Sequence, residues 1–377
     1  MHLVFVTPRY GQAIVGGAET AVRSYATRIA SRGHRVEVIT STATTMEWEN
    51  SLPAETVSED GVIVHRLRVH RPRLENFSAV HAKVLATGRL PAGMTADQFL
   101  ADQGPLLDGF EALLDRLDPD RVISYPLLYW PNLHALRWKP ARSVLHPAAH
   151  PEPILASAIY ADLVPLARRI VFQTHAEAEL FNQLFLIGAS RQLVLPLGLD
   201  QPVPDDHAGS TPDSAPYLLA LGRLQADKGS RLLTELYRNT QPTLRLIMAG
   251  PLVEPVRLPP GVETPGIVSD AQRNALLRHA RAVVIASRYE SFSLVAIEAM
   301  GAGIALIVNG FNPVLVEQIE CSGGGIAFHT ASELLSAIEL MATDATLATT
   351  LGQRGKAYAM AHFSWEQIID RYLAFLQ

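Results

Sequence analysis

Three loops in this sequence carry residue types suited to holding an anion and hydroxyl groups together. The first, "TPRYGQAIVGGAE" (7–19), sets the pair Gly16 and Gly17 directly before a helical pattern. Glycines let backbone N–H groups approach a ligand closely, and a helix N-terminus favours negative charge. A tight turn is the other use of such a pair. Gly11 and Gly16 have P-loop spacing, but Gly17 and Ala18 stand where its lysine and hydroxyl residue belong, and no G-x-G-x-x-G fingerprint is present. In the second loop, "LGRLQADKGS" (221–230), Arg223 and Lys228 flank a short entry into a helix. Arginine offers phosphate oxygens a planar fork and lysine a point charge. The third, "SRYESFSLVAIEAMGAG" (287–303), separates Glu290 from Glu298 by seven neutral residues. Ser291 and Ser293 are candidate N-caps there, which would aim the backbone N–H groups of Phe292, Ser293 and Leu294 out of a helix start. Taken singly, these are also the residues of solvated surfaces. Together, the cations and helix ends would neutralise a diphosphate while the carboxylates accept hydrogen bonds from hydroxyls. A nucleotide diphosphate sugar has both needs in one molecule.

Such loops need strands to present them. Short β-rich runs alternate with helical patterns: "LVFVT" (3–7), "RVEVIT" (35–40), "VIVHRLRV" (62–69), "RVISY" (121–125), "SVLHP" (143–147), "RIVFQ" (169–173) and "QLVLP" (192–196). Residues 201–216, with four prolines, read as a linker. The pattern then restarts with "YLLALG" (217–222), "LRLIMAG" (244–250), "AVVIAS" (282–287) and "IALIV" (304–308), separated by helices from Ser230, Asp270 and Ser293. Strand–helix–strand succession implies parallel sheets with right-handed crossovers, and ligands bind beyond the carboxyl ends of such strands. The final "FSWEQIIDRYLAFLQ" is an amphipathic helix with Trp365, Ile368, Ile369, Tyr372 and Leu376 on one face.

Composition narrows the class. A chain of 377 residues exceeds one ordinary core, so two domains are expected, and a hydrophobic share of 48% excludes disorder. A formal charge of −5 argues against a nucleic-acid partner. The single cysteine, Cys321, excludes an intrachain disulfide and suits a reducing cytoplasm. The N-terminus "MHLVFVTPRY" reads as a buried strand, not a signal peptide. "DPD" (118–120) has the look of a metal-binding D-x-D, but at the amino end of a strand it reads as a surface turn. "HRLRVHRPR" (65–73) reads as a charged strand with a solvated edge; the alternative is peripheral contact with an acidic acceptor or an anionic membrane.

On "GGAE" (16–19), "HPAAHPE" (146–152), "LPLGLD" (195–200), "GRLQADKG" (222–229) and "SRYESFSLVAIEAMGAG" (287–303), the chain resembles glycosyltransferase family 4 over nearly its whole length. These are retaining, nucleotide-sugar-dependent enzymes of the GT-B fold, and the 287–303 stretch resembles their E-x7-E motif. The resemblance implies an α/β protein of two Rossmann-like α/β/α domains facing a central cleft. Residues 1–200 would form an acceptor-binding domain completed by a C-terminal helix, 361–377, that crosses back to it. Residues 201–360 would form the donor-binding domain. It places Gly16 and Gly17 over the donor pyrophosphate, neutralised by Arg223 and Lys228. Glu290 would contact the transferred sugar, Glu298 the ribose, and the amides of Phe292, Ser293 and Leu294 the sugar and phosphates. Gly250, Pro251 and Val268 would lie near the base, and His150 beside the sugar, with His146 the lesser alternative.

The chain departs from the family at Ser293, where glycine is usual, at Ala305 for proline, at Pro151 for aspartate, and in "NGFNP" (309–313) for a double glycine. The expected reaction moves a hexose-type sugar from a UDP- or GDP-sugar to a hydroxyl acceptor by a same-face path, the leaving diphosphate assisting deprotonation. No carboxylate is placed as a covalent nucleophile. Neither a cofactor nor a metal is expected, since the cations would take the metal's part. The rivals are a nucleotide-sugar epimerase, a phosphorylase, or a catalytically degenerate binding partner of the same fold.

Overall fold

The alternation of strands and helices becomes two parallel sheets in the computed structural model, which describes residues 1–14, 16–200, 215–254 and 257–377. The expected linker falls, over 201–214, outside the described residues. The chain divides into a first unit, Met1–Pro196 with Ile369–Gln377, and a second, Leu197–Ile368.

Eight strands make the first sheet: β1 His2–Val6, β2 Arg35–Ser41, β3 Thr56–Glu59, β4 Val62–Leu67, β5 Arg121–Ser124, β6 Ser143–Leu145, β7 Arg169–Phe172 and β8 Gln192–Val194. Their order is β3-β4-β2-β1-β5-β6-β7-β8, and all pairs are parallel except β3–β4. That hairpin turns on Asp60 and Gly61, both at positive φ, as a two-residue connection of this kind requires. Leu3, Val4, Phe5 and Val6 of β1 have no exposed surface, because helices cover both faces of a parallel sheet.

The second sheet holds β9 Tyr217–Leu221, β10 Arg245–Ala249, β11 Val262–Gly266, β12 Ala282–Ile285, β13 Ala305–Asn309 and β14 Gly325–Phe328. The order β11-β10-β9-β12-β13-β14, parallel throughout, reverses direction between β9 and β12. The carboxyl ends of the strands at such a reversal are the usual place for a ligand in sheets of this kind.

The division falls a few residues before the expected 200/201 boundary, for a packing reason. The Leu199 N–H donates to the Phe363 carbonyl at 2.8 Å, a Cβ on Gly198 would sit 2.3 Å from the Trp365 ring, and one on Gly301 would sit 2.4 Å from Leu199. Leu197–Leu199 are thereby part of the second unit. The helix Ala345–His362 also stays there, and the last helix, Trp365–Leu376, passes from one unit to the other between Ile368 and Ile369. Its far end is buried in the first unit through Tyr372 and Leu376, and Arg121 donates to the carbonyls of Leu376 and Gln377. No single helix among the described residues is long and apolar enough to cross a membrane.

Candidate functional site

In the second unit the loop after β9 is shaped by contacts that only glycine permits. Gly250, at φ +148°, lies so close to the preceding loop that a Cβ would be 1.9 Å from the Gly222 carbonyl oxygen. Gly229, at φ +83°, would place a Cβ 2.4 Å from that of Ala286 at the end of β12. The Arg288 N–H donates to the Asp227 carbonyl at 2.9 Å. These contacts carry the β9 loop across to the β12 loop, and Lys228 Nζ donates to Glu290 Oε1 at 2.8 Å, both side chains about four-fifths buried on average (27% and 16% exposed). Arg223 is exposed and has no ion-pair or hydrogen-bond partner among the described residues.

Glu290 precedes the helix Leu294–Ala302 and Glu298 lies within it. The partner of Glu298 carries no local signal in the sequence: Arg273, on the helix Asp270–His279, forks onto both carboxylate oxygens, one bond measuring 2.7 Å. Burial pushes the Glu298 carboxyl above its ordinary value, while Arg273 pulls it back. Ser293 stands at the N-cap position in the left-handed region, φ +69°, but contrary to expectation makes no side-chain cap: its buried hydroxyl has no partner among the described residues. This backbone accounts for the glycine usual at the position: a side chain there costs roughly 1–2 kcal/mol. Phe292 is buried edge-on to Phe363, and its carbonyl accepts from the Gln318 amide. The 309–313 loop, a departure in sequence, supports the same region. Asn309 donates to the Ser287 carbonyl and Asn312 to that of Arg288, both at 3.3 Å. Gly250 donates to Gly266, Pro251 accepts from Leu224, and Val268 is half-buried just before the capping box of Ser269 and Gln272.

In the first unit, Gly16 is extended at φ 175°, and a Cβ on it would be 2.1 Å from the Glu19 carboxylate. The helix Gly17–Ser31 thus carries an acid of its own in its first turn. Glu19 accepts from Arg9, which also donates to the Thr44 carbonyl at 3.1 Å. Arg9, two residues past the expected end of β1, was legible in the quoted loop but not singled out. Gly17 is exposed, with open space where a Cβ would go.

His150 follows β6 and is 28% exposed, its Nδ1 hydrogen-bonded to Glu152 at 2.9 Å. His146, the lesser alternative, is excluded as an accessible base. It is buried among the rings of Tyr25, Tyr125 and Tyr372, bonds the Tyr372 hydroxyl through Nε2 at 2.8 Å, and is pushed down to about 3 by burial. "DPD" is a surface turn: Asp118, at φ +41°, takes Lys139 and Arg142 at 2.7 and 2.8 Å, and Asp120 accepts the His2 N–H. The basic run 65–73 is more internal than a solvated edge. His65 and Arg66 are buried against Glu37 and Glu59, Arg71 pairs with Asp102 and His70 with Asp108.

Comparison with known proteins adds to this geometry. A family model described as "Glycosyl transferase 4-like domain" matches residues 16–198, and one described as "Glycosyl transferases group 1" matches residues 205–358. The D-inositol 3-phosphate glycosyltransferase of Kineococcus radiotolerans is 26% identical over 411 residues, covering 94% of this chain and 88% of that protein. The protein of the same name from Segniliparus rotundus is 29% identical over 253 residues, covering 59% of this chain and only 55% of its own length. The solved structure of sucrose-phosphate synthase from Thermosynechococcus elongatus matches with a TM-score of 0.73 at 18% identity, covering 99% of this chain and 98% of that one. At that identity the likeness is one of fold, and the fold is GT-B.

Proposed function

The chain belongs to the glycosyltransferases of the family 4 type, and on that premise we propose that it moves a hexose-type sugar from a UDP- or GDP-sugar to a hydroxyl acceptor with retention of configuration. It is a group 1 transferase that uses nucleotide-sugar donors. The observation that carries the finer reading is the Lys228–Glu290 pair, 2.8 Å apart where the order of the second sheet reverses. A cation suited to a diphosphate and a carboxylate suited to a sugar hydroxyl stand within reach of one ligand. Without it they neutralise each other.

In this reading Arg223 and Lys228 stabilise the leaving diphosphate, the largest development of charge in the reaction. Phe292, Ser293 and Leu294 offer the amide end of their helix to the sugar and phosphates. Glu298, held by Arg273, accepts from the ribose, and Gly250, Pro251 and Val268 border the base. The resemblance assigns Gly16 and Gly17 to the diphosphate and His150 to the sugar. We read the mechanism as metal-independent and same-face, with the diphosphate itself receiving the acceptor's proton. We place the reaction in the cytoplasm. The basic run gives peripheral membrane contact little support, because its buried and paired members leave Arg68 as the exposed cation.

Binding and slow hydrolysis of UDP-, GDP-, ADP- and dTDP-sugars test the proposal. One nucleotide is expected to be preferred, with affinity falling roughly tenfold or more on Lys228→Ala, the loss of a charge-assisted contact. Glu290→Ala is expected to abolish hydrolysis. Binding and hydrolysis that survive both changes would sink the assignment. An isomerised donor would identify an epimerase, and binding without turnover toward any hydroxyl acceptor a degenerate partner.

A further inference from the structure

Glu177 is a carboxylate that the proposed chemistry leaves unused, and it is 1% exposed in the first unit. A buried carboxylate is costly unless its oxygens are satisfied, so its partners show what holds it there. Part of the answer is local. Glu177 lies in the first turn of the helix His175–Leu184; its N–H donates to the Thr174 hydroxyl at 3.1 Å, and its Oε2 accepts the Gln173 N–H at 2.8 Å. That much is helix capping. The other oxygen serves no cap: Oε1 accepts the N–H of Ala149 at 2.9 Å, 28 residues away in sequence. The Ala148 N–H also acts on this carboxylate.

The segment so held is the one that ends at His150. Its amino end is fixed by the His146 N–H on the Ser124 carbonyl at 2.9 Å, and Pro147 accepts from Leu127 at 3.0 Å. Between these bonds and His150 the chain passes through Ala148 at φ +48°, a conformation an alanine keeps only when its surroundings impose it. Glu177 supplies that constraint at the next residue. Beyond it, His150 is oriented by Glu152, whose own N–H donates back to the His150 carbonyl at 2.7 Å.

We propose that Glu177 is the positioning residue of the His150 loop, its two oxygens tying Ala149 to the end of β7 so that the imidazole is presented in a single orientation. The catalytic half of this inference rests on His150 contacting the donor sugar; the orienting half does not. Burial pushes the Glu177 carboxyl up to about 8 against the pull of the backbone N–H groups, as expected of a carboxylate kept inside the fold by those bonds.

The test compares Glu177→Gln, His150→Ala and the double variant in hydrolysis of UDP-glucose and GDP-mannose, alongside the NMR resonance of His150 in protein carrying 13C-labelled histidine. Glutamine keeps the volume and one acceptor but sets an amide N–H against a backbone N–H. Expected are a fall in kcat of roughly tenfold to a hundredfold at nearly constant donor KM, as for a misplaced active-site group. No further loss should appear in the His150→Ala background, and the His150 resonance should shift. If the resonance stays in place, or the two losses multiply, Glu177 does not act through His150. If His150→Ala hydrolyses as fast as the unaltered protein, the sugar-contact role fails, and the resonance alone decides the orienting role. Should Glu177→Gln not fold, Glu177→Asp keeps the carboxyl group, shortens the reach by one methylene, and gives the same comparison.

Discussion

Ser293 concentrates the residue-scale question, because a serine occupies a left-handed backbone and buries a hydroxyl that has no partner among the described residues. Ser293→Gly relieves both, offset by the added freedom of glycine in the unfolded chain. The expected net gain is about 0.5–1 kcal/mol, read as a higher urea midpoint at unchanged m-value. A loss of stability would mean that the hydroxyl is satisfied in solution. Glu298 makes a second expectation. Burial holds its carboxyl above the ordinary 4.5, with Asp200 and Asp270 adding to the rise and Arg273 opposing it. As pH falls, Glu298 is therefore neutralised earlier than an exposed glutamate. Affinity for UDP or GDP should decline on the acid side beginning above 4.5, and Glu298→Gln should flatten the decline, as titration calorimetry across pH would show. The stability sign is opposite: between the ordinary and raised values the folded state holds the extra proton, so this group's contribution drops as pH rises. Residue types were legible in the sequence, since Arg223, Lys228, Glu290 and Glu298 sit in short loops and a helix start whose identity is local. Their partners were not. Nothing in the sequence pairs Glu298 with Arg273 or Glu19 with Arg9 until the chain is folded.

At the scale of elements, what the sequence hid follows one physical rule. β3, β11 and β14 were not foreseen, and each lies at an edge of its sheet. An interior parallel strand is buried on both faces and reads as an unbroken apolar run, as "LVFV" and "AVVI" do. An edge strand lacks a neighbour on one side, so β11 tolerates "VETPG" with a proline and exposed polar positions, and β14 follows two glycines and opens on a third, Gly325. The 309–313 loop shows the reverse case, a sequence departure with an evident structural use. Asn312 is buried; its oxygen caps the helix Pro313–Ser322 through the N–H groups of Val314 and Leu315, and its nitrogen reaches the Arg288 carbonyl. Asn312→Asp retains the cap and removes the second bond. We expect a stability loss of about 1–3 kcal/mol, the cost of leaving the Arg288 carbonyl without its donor, and a larger proportional fall in donor hydrolysis because the Glu290 loop loses a tether. Equal losses in stability and turnover would assign Asn312 to the fold alone.

Over the whole molecule, the last helix decides how the first unit is completed. Its apolar stripe was visible from spacing, but the rings of Tyr25 and His146 that receive its Tyr372 come from separate segments and carry no common pattern. His146 stays neutral there, its pKa pushed from 6.5 to about 3 by burial, whereas in the unfolded chain it protonates near 6.5. Stability from this group is therefore full above pH 6.5 and is lost progressively as pH falls from there toward 3. Urea midpoints measured from pH 7 to 5 should decline, and less steeply in His146→Phe, which cannot bind the proton; parallel declines would show that the anchor does not set the acid response. The same helix has a consequence for synthesis. Because Ile369–Gln377 belong to the first unit, that unit starts to emerge from the ribosome before the second and is finished after it. While residues 197–368 are being translated, the surface around Tyr25 and His146 waits uncovered, a window for misassembly that closes only once Ile369–Gln377 have emerged.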